Sequence, residues 1–447
     1  MENRLYKTKE EVLMRGREVI GIPLKQIDIT NRLETGKGAV GSVLEESWFG
    51  YSINSESEPD FVEAGVELKV TPYIKSAKKI RAKERLVCNI INYMEEYKHT
   101  FDTSSFWKKC NTMLLMSYEY RKDVPKGDFT INKVTLFSFP EEDLLIIKQD
   151  WKTIVDKIIA GRAHELSESD TLYLGACTKG ATAASVRKQP FSQLLAKQRA
   201  FSLKQSYMTY ILNSYIFGRK VDEHIIKDSS VLKEVSFEQY IINKISPYFG
   251  KTREALLLEF NLATTAKNVN ALLLARMLGL TGRLSSTEEF KKANILPKTI
   301  CVTAKGIVKE SMSFPVFDFR KIITEKWETC ELKLLFESTK FLFVVFQYNS
   351  NQELVFDNLL FWNMPEKDLK EVEVVWKRTV EILNKGVEFH TVGKKVYNNL
   401  PKASENQVAH VRPHSRNAND TSLLPDGRTM TKQCFWLNKK YIQKQIK

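Results

Sequence analysis

Around residue 66 the chain alternates. Val66, Leu68 and Val70 are apolar while Glu67 and Lys69 are charged, the period-two pattern of a strand with one buried face. The apolar run Met113–Met116 predicts a second strand. Elsewhere the period lengthens to that of a helix. Val40, Val43 and Leu44 share one face of a helix opening after Gly36-Lys-Gly38, and further helices are expected at Glu141–Ala160 and Phe191–Arg199. Strands interleaved with helices argue for an α/β fold with a central mixed sheet flanked by helices.

The pattern occurs twice. A shift of 229 positions aligns Gly21–Lys69 with Gly250–Lys298 without a gap, with ten identities in 49 positions, among them Gly21/Gly250, Leu44/Leu273, Gly50/Gly279, Phe61/Phe290 and Lys69/Lys298. Farther on, Asp150-Trp151-Lys152 faces Val375-Trp376-Lys377, and Phe201–Tyr207 faces Phe435–Tyr441. The chain therefore reads as a tandem duplication, with one domain at 1–220, a polar linker at 221–233 and a second domain at 234–447.

Charge adds a partner. The 447 residues carry 68 Lys and Arg against 54 Asp and Glu, a formal net charge of +14. A protein this basic meets a polyanion. From Thr171 to Val221 there are eight basic residues and no acid: Lys179, Arg187, Lys188, Lys197, Arg199, Lys204, Arg219 and Lys220. The final stretch from Lys402 has nine basic residues against Glu405, Asp420 and Asp426. Ser, Thr, Gln and Tyr are interleaved with the cations, as tracking phosphates and reading bases both require. Neither stretch reads as a basic amphipathic helix, so DNA is a better partner than a membrane surface. No apolar run is long enough to span a bilayer, and the start lacks a signal-peptide core, so a cytoplasmic protein is expected.

The cysteines form no CxxC pair, and neither HExxH nor GxSxG occurs. This disfavours a structural zinc site, metalloprotease chemistry and serine-hydrolase chemistry. Gly36-Lys-Gly38-Ala-Val-Gly41 fits GxGxxG, but the polar stretch before it is no buried strand, so a dinucleotide site lacks its context.

The segment that carries chemistry runs from Asp60 to Val70. Glu67 and Lys69 share the polar face of the strand, and a turn delivers Asp60 to the same region. Asp…Glu-x-Lys suits phosphodiester hydrolysis: carboxylates hold Mg2+ through hard oxygens, and a lysine positions water and offsets charge on the phosphate. Glu45, on the preceding helix, is a third candidate acid, with Glu46 as its solvent-facing twin. The same spacing also fits a surface strand with a Glu–Lys pair. At the repeat offset, Glu45 becomes Leu274, Asp60 becomes Glu289, Glu67 becomes Leu296 and Lys69 stays lysine as Lys298. One active nuclease domain and one silent DNA-binding copy are therefore expected.

The segments KGAVGSVLEESWFG and PDFVEAGVELKVTP, with Trp107-Lys108-Lys109, Asp150-Trp151 and Arg199–Lys204, resemble the MutH family of metal-dependent endonucleases acting at GATC. Duplication with a degenerate second copy is similar to the two-domain type II restriction endonucleases of that family; the mismatch-repair nickase is a single domain. The resemblance implies a restriction-endonuclease-like fold in tandem and Mg2+-dependent double-strand cleavage of GATC-containing DNA, 5′ of the G, leaving 5′-phosphates. It also implies an allosteric second domain.

On this resemblance Asp60, Glu67 and Glu45 are the metal ligands, with Lys69 and a second lysine, Lys109 or its neighbour Lys108, completing the catalytic set. Lys179 matches a DNA-contacting lysine of the family. With it, Arg187, Lys188, Arg199, Lys204, Arg412, His414, Arg416 and Asn417 are the candidate DNA-binding residues. The Arg-Pro pair that precedes this lysine in the repair enzyme is Cys177-Thr178 here, while Arg412-Pro413 survives in the second copy. The tyrosine that senses adenine methylation in the repair enzyme falls at Ser202, which implies lower methylation sensitivity. One active site per chain further implies a monomer that dimerises on DNA, looping two sites. A strand-nicking repair endonuclease and a non-catalytic DNA-binding regulator are the competing readings.

Overall fold

The alternation at 66–70 opens a longer strand than the sequence predicts. In the computed structural model, which describes residues 6–447 apart from 35, 37, 53–57, 77–78, 181–183, 220–222, 264–268 and 394, strand β1 runs Glu67–Lys75. It pairs antiparallel with β2 (Ile80–Ala82) and parallel with β4 (Thr112–Glu119), which pairs antiparallel with β5 (Ile131–Ser138). The order β2-β1-β4-β5 makes a mixed sheet. Val66 and Leu68 enter its core with Val40, Val43, Leu44, Leu114, Met116 and Ile131. The helix Lys9–Glu18, fixed by a Thr8–Glu11 capping box, also packs here. Its Gly16 leaves room for Val134 and Leu114, whose methyl carbons lie 3.0 and 3.1 Å from where a Cβ would stand.

A second sheet, β3-β9-β6, joins β3 (Leu86–Ile90), β9 (Arg199–Leu203) and β6 (Leu174–Thr178) in antiparallel register. The helix Glu141–Ile159 fastens β6 through Asp150, whose buried carboxylate accepts from the backbone N–H groups of Leu172, Tyr173 and Leu174 at 2.6–2.9 Å. The residues before β9 are not the helix expected at Phe191–Arg199. They form β8 (Ser192–Lys197), the second arm of a hairpin with β7 (Val186–Gln189). Leu-Leu-Ala-Lys favours a helix locally, but pairing with β7 and burial of Ala196 override that preference.

The topology recurs downstream. Strand β10 (Ile295–Val302) runs parallel to β12 (Lys340–Tyr348), which pairs antiparallel with β13 (Leu354–Trp362). Strands β11 (Met312–Val316), β19 (Gln433–Leu437) and β16 (Ala409–Pro413) repeat the second sheet. Two further hairpins, β14 (Phe389–Val392) with β15 (Lys395–Asn398) and β17 (Thr421–Leu423) with β18 (Thr429–Thr431), complete the strands among the described residues. The helix Glu366–Lys385 carries Val372, Val375, Trp376, Ile382 and Leu383 into the core. Trp151 and Trp376 are both buried, as the repeat requires.

The chain divides into two units, residues 1–237 with 286–294, and residues 238–285 with 295–447. The expected boundary is therefore interrupted: nine residues of the second repeat group with the first unit. The stretch read as a linker is also built in, beyond the undescribed 221–222. Ser229–Lys233 forms a 3-10 turn, and the Gln149 amide donates to the carbonyls of Leu232 and Val235. Among the described residues, no helix is long and apolar enough to cross a membrane.

Candidate active site

A tight turn creates the site. Phe61 and Val66 exchange backbone hydrogen bonds across residues 62–65, with Gly65 at φ +63°, a conformation that suits glycine. The return sets Asp60 beside the start of β1, and the two carboxylates fix one another's backbone. Asp60 N–H donates to Glu67 Oε2 at 3.1 Å, and Leu68 N–H donates to Asp60 Oδ2 at 2.9 Å.

Glu67 and Lys69 share one face of β1, as the alternation predicts, and meet: Lys69 Nζ lies 2.6 Å from Glu67 Oε1 and donates also to the Cys88 carbonyl at 3.2 Å. Lys109 reaches the same carboxylate from the last turn of the helix Ser105–Cys110. Its Nζ stands 3.6 Å from Glu67 Oε2 and 3.0 Å from the Glu58 carbonyl. Glu45 approaches from a π-turn, Leu44–Trp48, that continues the helix Ala39–Val43. Glu46 faces away and pairs with Arg32 at 2.9 Å. Of the two twins, Glu45 is the one whose charge interacts with Asp60 and Glu67.

Burial pushes the Glu45 carboxyl up to about 7, and the charges of Asp60 and Glu67 add to the effect. Burial likewise pushes Glu67 up to about 7, against the pull of Lys69. For Lys69, burial works against the charge, but Glu67 more than restores it and holds the ammonium above its ordinary range. Three crowded acids, two of them held back from ionising by burial, are hard oxygen donors whose charge Lys69 and Lys109 offset only in part, and this donor set fits a divalent cation of the Mg2+ type. Among the described residues they are not gathered at metal-ligand spacing; both Glu67 oxygens are engaged by lysine and backbone donors.

The counterparts in the repeat build nothing comparable. Leu274 is buried in the helix Val269–Met277, and Leu296 packs against the core of the second unit. Lys298 donates to the Ser313 carbonyl at 2.9 Å and lies over the Phe314 ring, its pKa pulled down by burial. Glu289, opposite Asp60 in the alignment, lies in the first unit, where it accepts from the backbone N–H groups of Ile225 and Ile226.

The basic residues divide. Lys179, Arg187 and Lys188 are exposed on the segment from the end of β6 to β7. Arg199 and Lys204 are not: Arg199 donates to the Ala176 carbonyl at 2.7 Å, and Lys204, 1% exposed, donates to the Thr171 carbonyl. Both were expected to face DNA; instead they are buried braces of the second sheet. Ser202 is fully buried in β9, so its side chain cannot touch a base from this position. In the second unit Arg412, His414, Arg416 and Asn417 are all exposed. Trp436, which the sequence reading missed, organises two of them: the Arg412 guanidinium lies 4.3 Å from its ring centroid and the His414 ring 5.5 Å away. It stands half-buried between buried Phe435 and Leu437 in an apolar run, where nothing in the pattern sets it apart from its neighbours.

Residues 49–150 match the family model described as DNA mismatch repair enzyme MutH. The type II restriction enzyme Sau3AI of Staphylococcus aureus is 38% identical over 99% of both chains. The mismatch repair protein MutH of Shewanella woodyi is 30% identical over 47% of this chain and 94% of its own length, and that of Escherichia coli is 25% identical over 46% and 92%.

Proposed function

Because the chain belongs to the MutH-related family of type II restriction endonucleases, we propose that it makes Mg2+-dependent double-strand cuts at GATC, 5′ of the G, leaving 5′-phosphates. That it is a site-specific deoxyribonuclease with a restriction-endonuclease-like fold follows from the full-length match together with the MutH domain. Target, metal and cut position are the proposal. The observation that carries it is the convergence of Asp60, Glu67, Glu45, Lys69 and Lys109 in one unit while the repeat has lost two of the three acids.

Asp60, Glu67 and Glu45 would hold the metal. When bound, Mg2+ supplies Lewis-acid polarisation of the scissile phosphate and acidifies a water. The chain's own residues do the rest. Lys69, held protonated by Glu67, is no proton acceptor here; its N–H groups orient the attacking water and offset charge developing on the phosphate oxygens. Lys109, anchored on the Glu58 carbonyl, steadies Glu67 from the other side. The N–H groups of Asp60 and Leu68 hold the two carboxylates in register. Lys179, Arg187 and Lys188 bind DNA in the catalytic unit; Arg412, His414, Arg416 and Asn417 do so in the second, which acts without catalysis of its own.

Incubation of supercoiled, unmethylated plasmid with protein and Mg2+, followed by end-sequencing, tests this. Linear fragments beginning 5′-GATC are expected. Asp60→Ala should slow cleavage about 1000-fold, the loss of several kcal/mol of transition-state stabilisation. Nicked circles alone would favour the MutH-type nickase, and a salt-sensitive gel shift without cleavage a non-catalytic regulator.

A further inference from the structure

The hairpin β7–β8 exposes what a folded unit ordinarily hides. Phe191 at its turn is 68% exposed, Leu194 58% and Leu195 55%. Leu194 and Leu195 are consecutive in a strand and so point to opposite faces of the ribbon. Both faces are thus apolar and open, which suits insertion between two walls rather than docking on a flat surface. Arg187 and Lys188 are exposed on one arm, and Lys197 is half-buried on the other.

The ribbon is braced at its root. The buried Gln189 side chain accepts from Ala163 N–H at 2.7 Å and donates to the Leu194 carbonyl at 2.7 Å, with His164 Nδ1 at 3.0 Å. Tyr93 OH donates to the Lys197 carbonyl at 2.6 Å. Phe191 is held at φ +60°, which is strained for a bulky side chain. The turn lies so close to Gly161 that a Cβ there would stand 2.6 Å from the Phe191 carbonyl oxygen. Strain retained in an exposed aromatic, on a fixed support, is the mark of a preorganised contact.

We propose that the β7–β8 hairpin enters the DNA major groove and reads thymine C5-methyl groups through Leu194, Leu195 and Phe191, while Arg187, Lys188 and Lys197 hold the flanking phosphates. This rests on the chain being a DNA-cleaving enzyme and adds the element and the base feature that it recognises. The cations select a polyanion as the occupant. A two-stranded ribbon fits the major groove, about 12 Å wide, and not the minor groove, about 6 Å wide. The apolar group that bases present in the major groove is the thymine methyl.

Replacing thymine by uracil deletes that methyl and leaves the hydrogen-bonding edge intact. The full-length Asp60→Ala protein, kept free of divalent metal so that the duplex stays intact, is titrated with a GATC duplex and with the same duplex carrying uracil for thymine. The titrations are repeated with Leu194→Ser/Leu195→Ser and with Phe191→Asn, which tolerates the left-handed backbone; all three positions are exposed, and circular dichroism checks the fold. Uracil should weaken binding by the parent about tenfold, and the leucine variant should lose most of that penalty. Its salt slope should stay unchanged, because the cations remain. Equal affinity of the parent for both duplexes would overturn the proposal while leaving the nuclease reading intact. A leucine variant that keeps the penalty but loses self-association would overturn it in favour of an interface between copies. A parent that binds neither duplex would sink both readings.

Discussion

Lys69 shows why the site needs several charges at once. Its ammonium is buried, and the contact with Glu67, helped by the nearby thiols of Cys110 and Cys88, keeps it above its ordinary range. Glu67 is in turn crowded by burial and by Asp60, and so is Glu45, each pushed up to about 7. The consequence for stability has a definite sign. The unfolded chain takes up these two protons near 4.5, the folded chain near 7. As pH falls from 8 towards 5 the folded state therefore binds protons that the unfolded state does not, and metal-free protein should become more stable. The gain begins near 7 and levels off below 4.5. Scanning calorimetry without metal should give a higher Tm at pH 6 than at pH 8. Mg2+ should raise Tm more at pH 8, where the carboxylates are free of protons. A metal-free Tm that falls between pH 8 and pH 6 would mean that Lys69 and Lys109 already neutralise the site.

At the scale of elements, the turn at 62–65 converts a sequence spacing into a site. Gly65 at φ +63° has nothing within 4 Å of a would-be Cβ, so substitution there adds backbone strain without a steric clash. Gly65→Ala should cost about 1–2 kcal/mol. The local Asp60–Glu67 register should suffer with it, so that cleavage falls more than a denaturation midpoint suggests. Parallel measurement of urea unfolding and plasmid cleavage separates the two. This part of the site was legible in the sequence because strand alternation and a glycine turn are local signals. Glu45 over Glu46 was legible from its apolar neighbours. The hairpin was not. Phe191–Arg199 has helical propensity, and only the long-range bonds of Gln189 and the burial of Ala196 turn it into a strand. The inward turn of Arg199 and Lys204 was hidden for a related reason: a lysine that donates to a carbonyl 33 residues away looks, in sequence, like one that meets phosphate.

At the scale of the whole molecule, the repeat preserves architecture and discards chemistry. The parallel crossover pair with its antiparallel neighbour and the Trp151/Trp376 helices recur, yet Leu274 and Leu296 occupy the positions of two acids and leave Lys298 on a carbonyl. A chain with one complete constellation has to visit a duplex twice, or pair with a second chain, to break both strands. On the proposed function, the second unit, with Arg412 and His414 exposed beside Trp436, would hold another stretch of DNA while the first is cut. Two sites on one plasmid are at high effective concentration, so bridging them removes much of the cost of bringing a second duplex in. A two-site plasmid should therefore be linearised several-fold faster than a one-site plasmid at equal site concentration. Adding a short duplex that carries the site should accelerate the one-site plasmid. The advantage should collapse with rising salt faster than binding to one duplex does, because two sets of released counterions enter the dependence, each contributing about 0.9 per phosphate contact to the slope of log affinity. Trp436→Ala, which removes the platform under Arg412, should erase the two-site advantage while leaving the slow one-site rate in place. Loss of both rates together would mean instead that the second unit is needed for the active site itself.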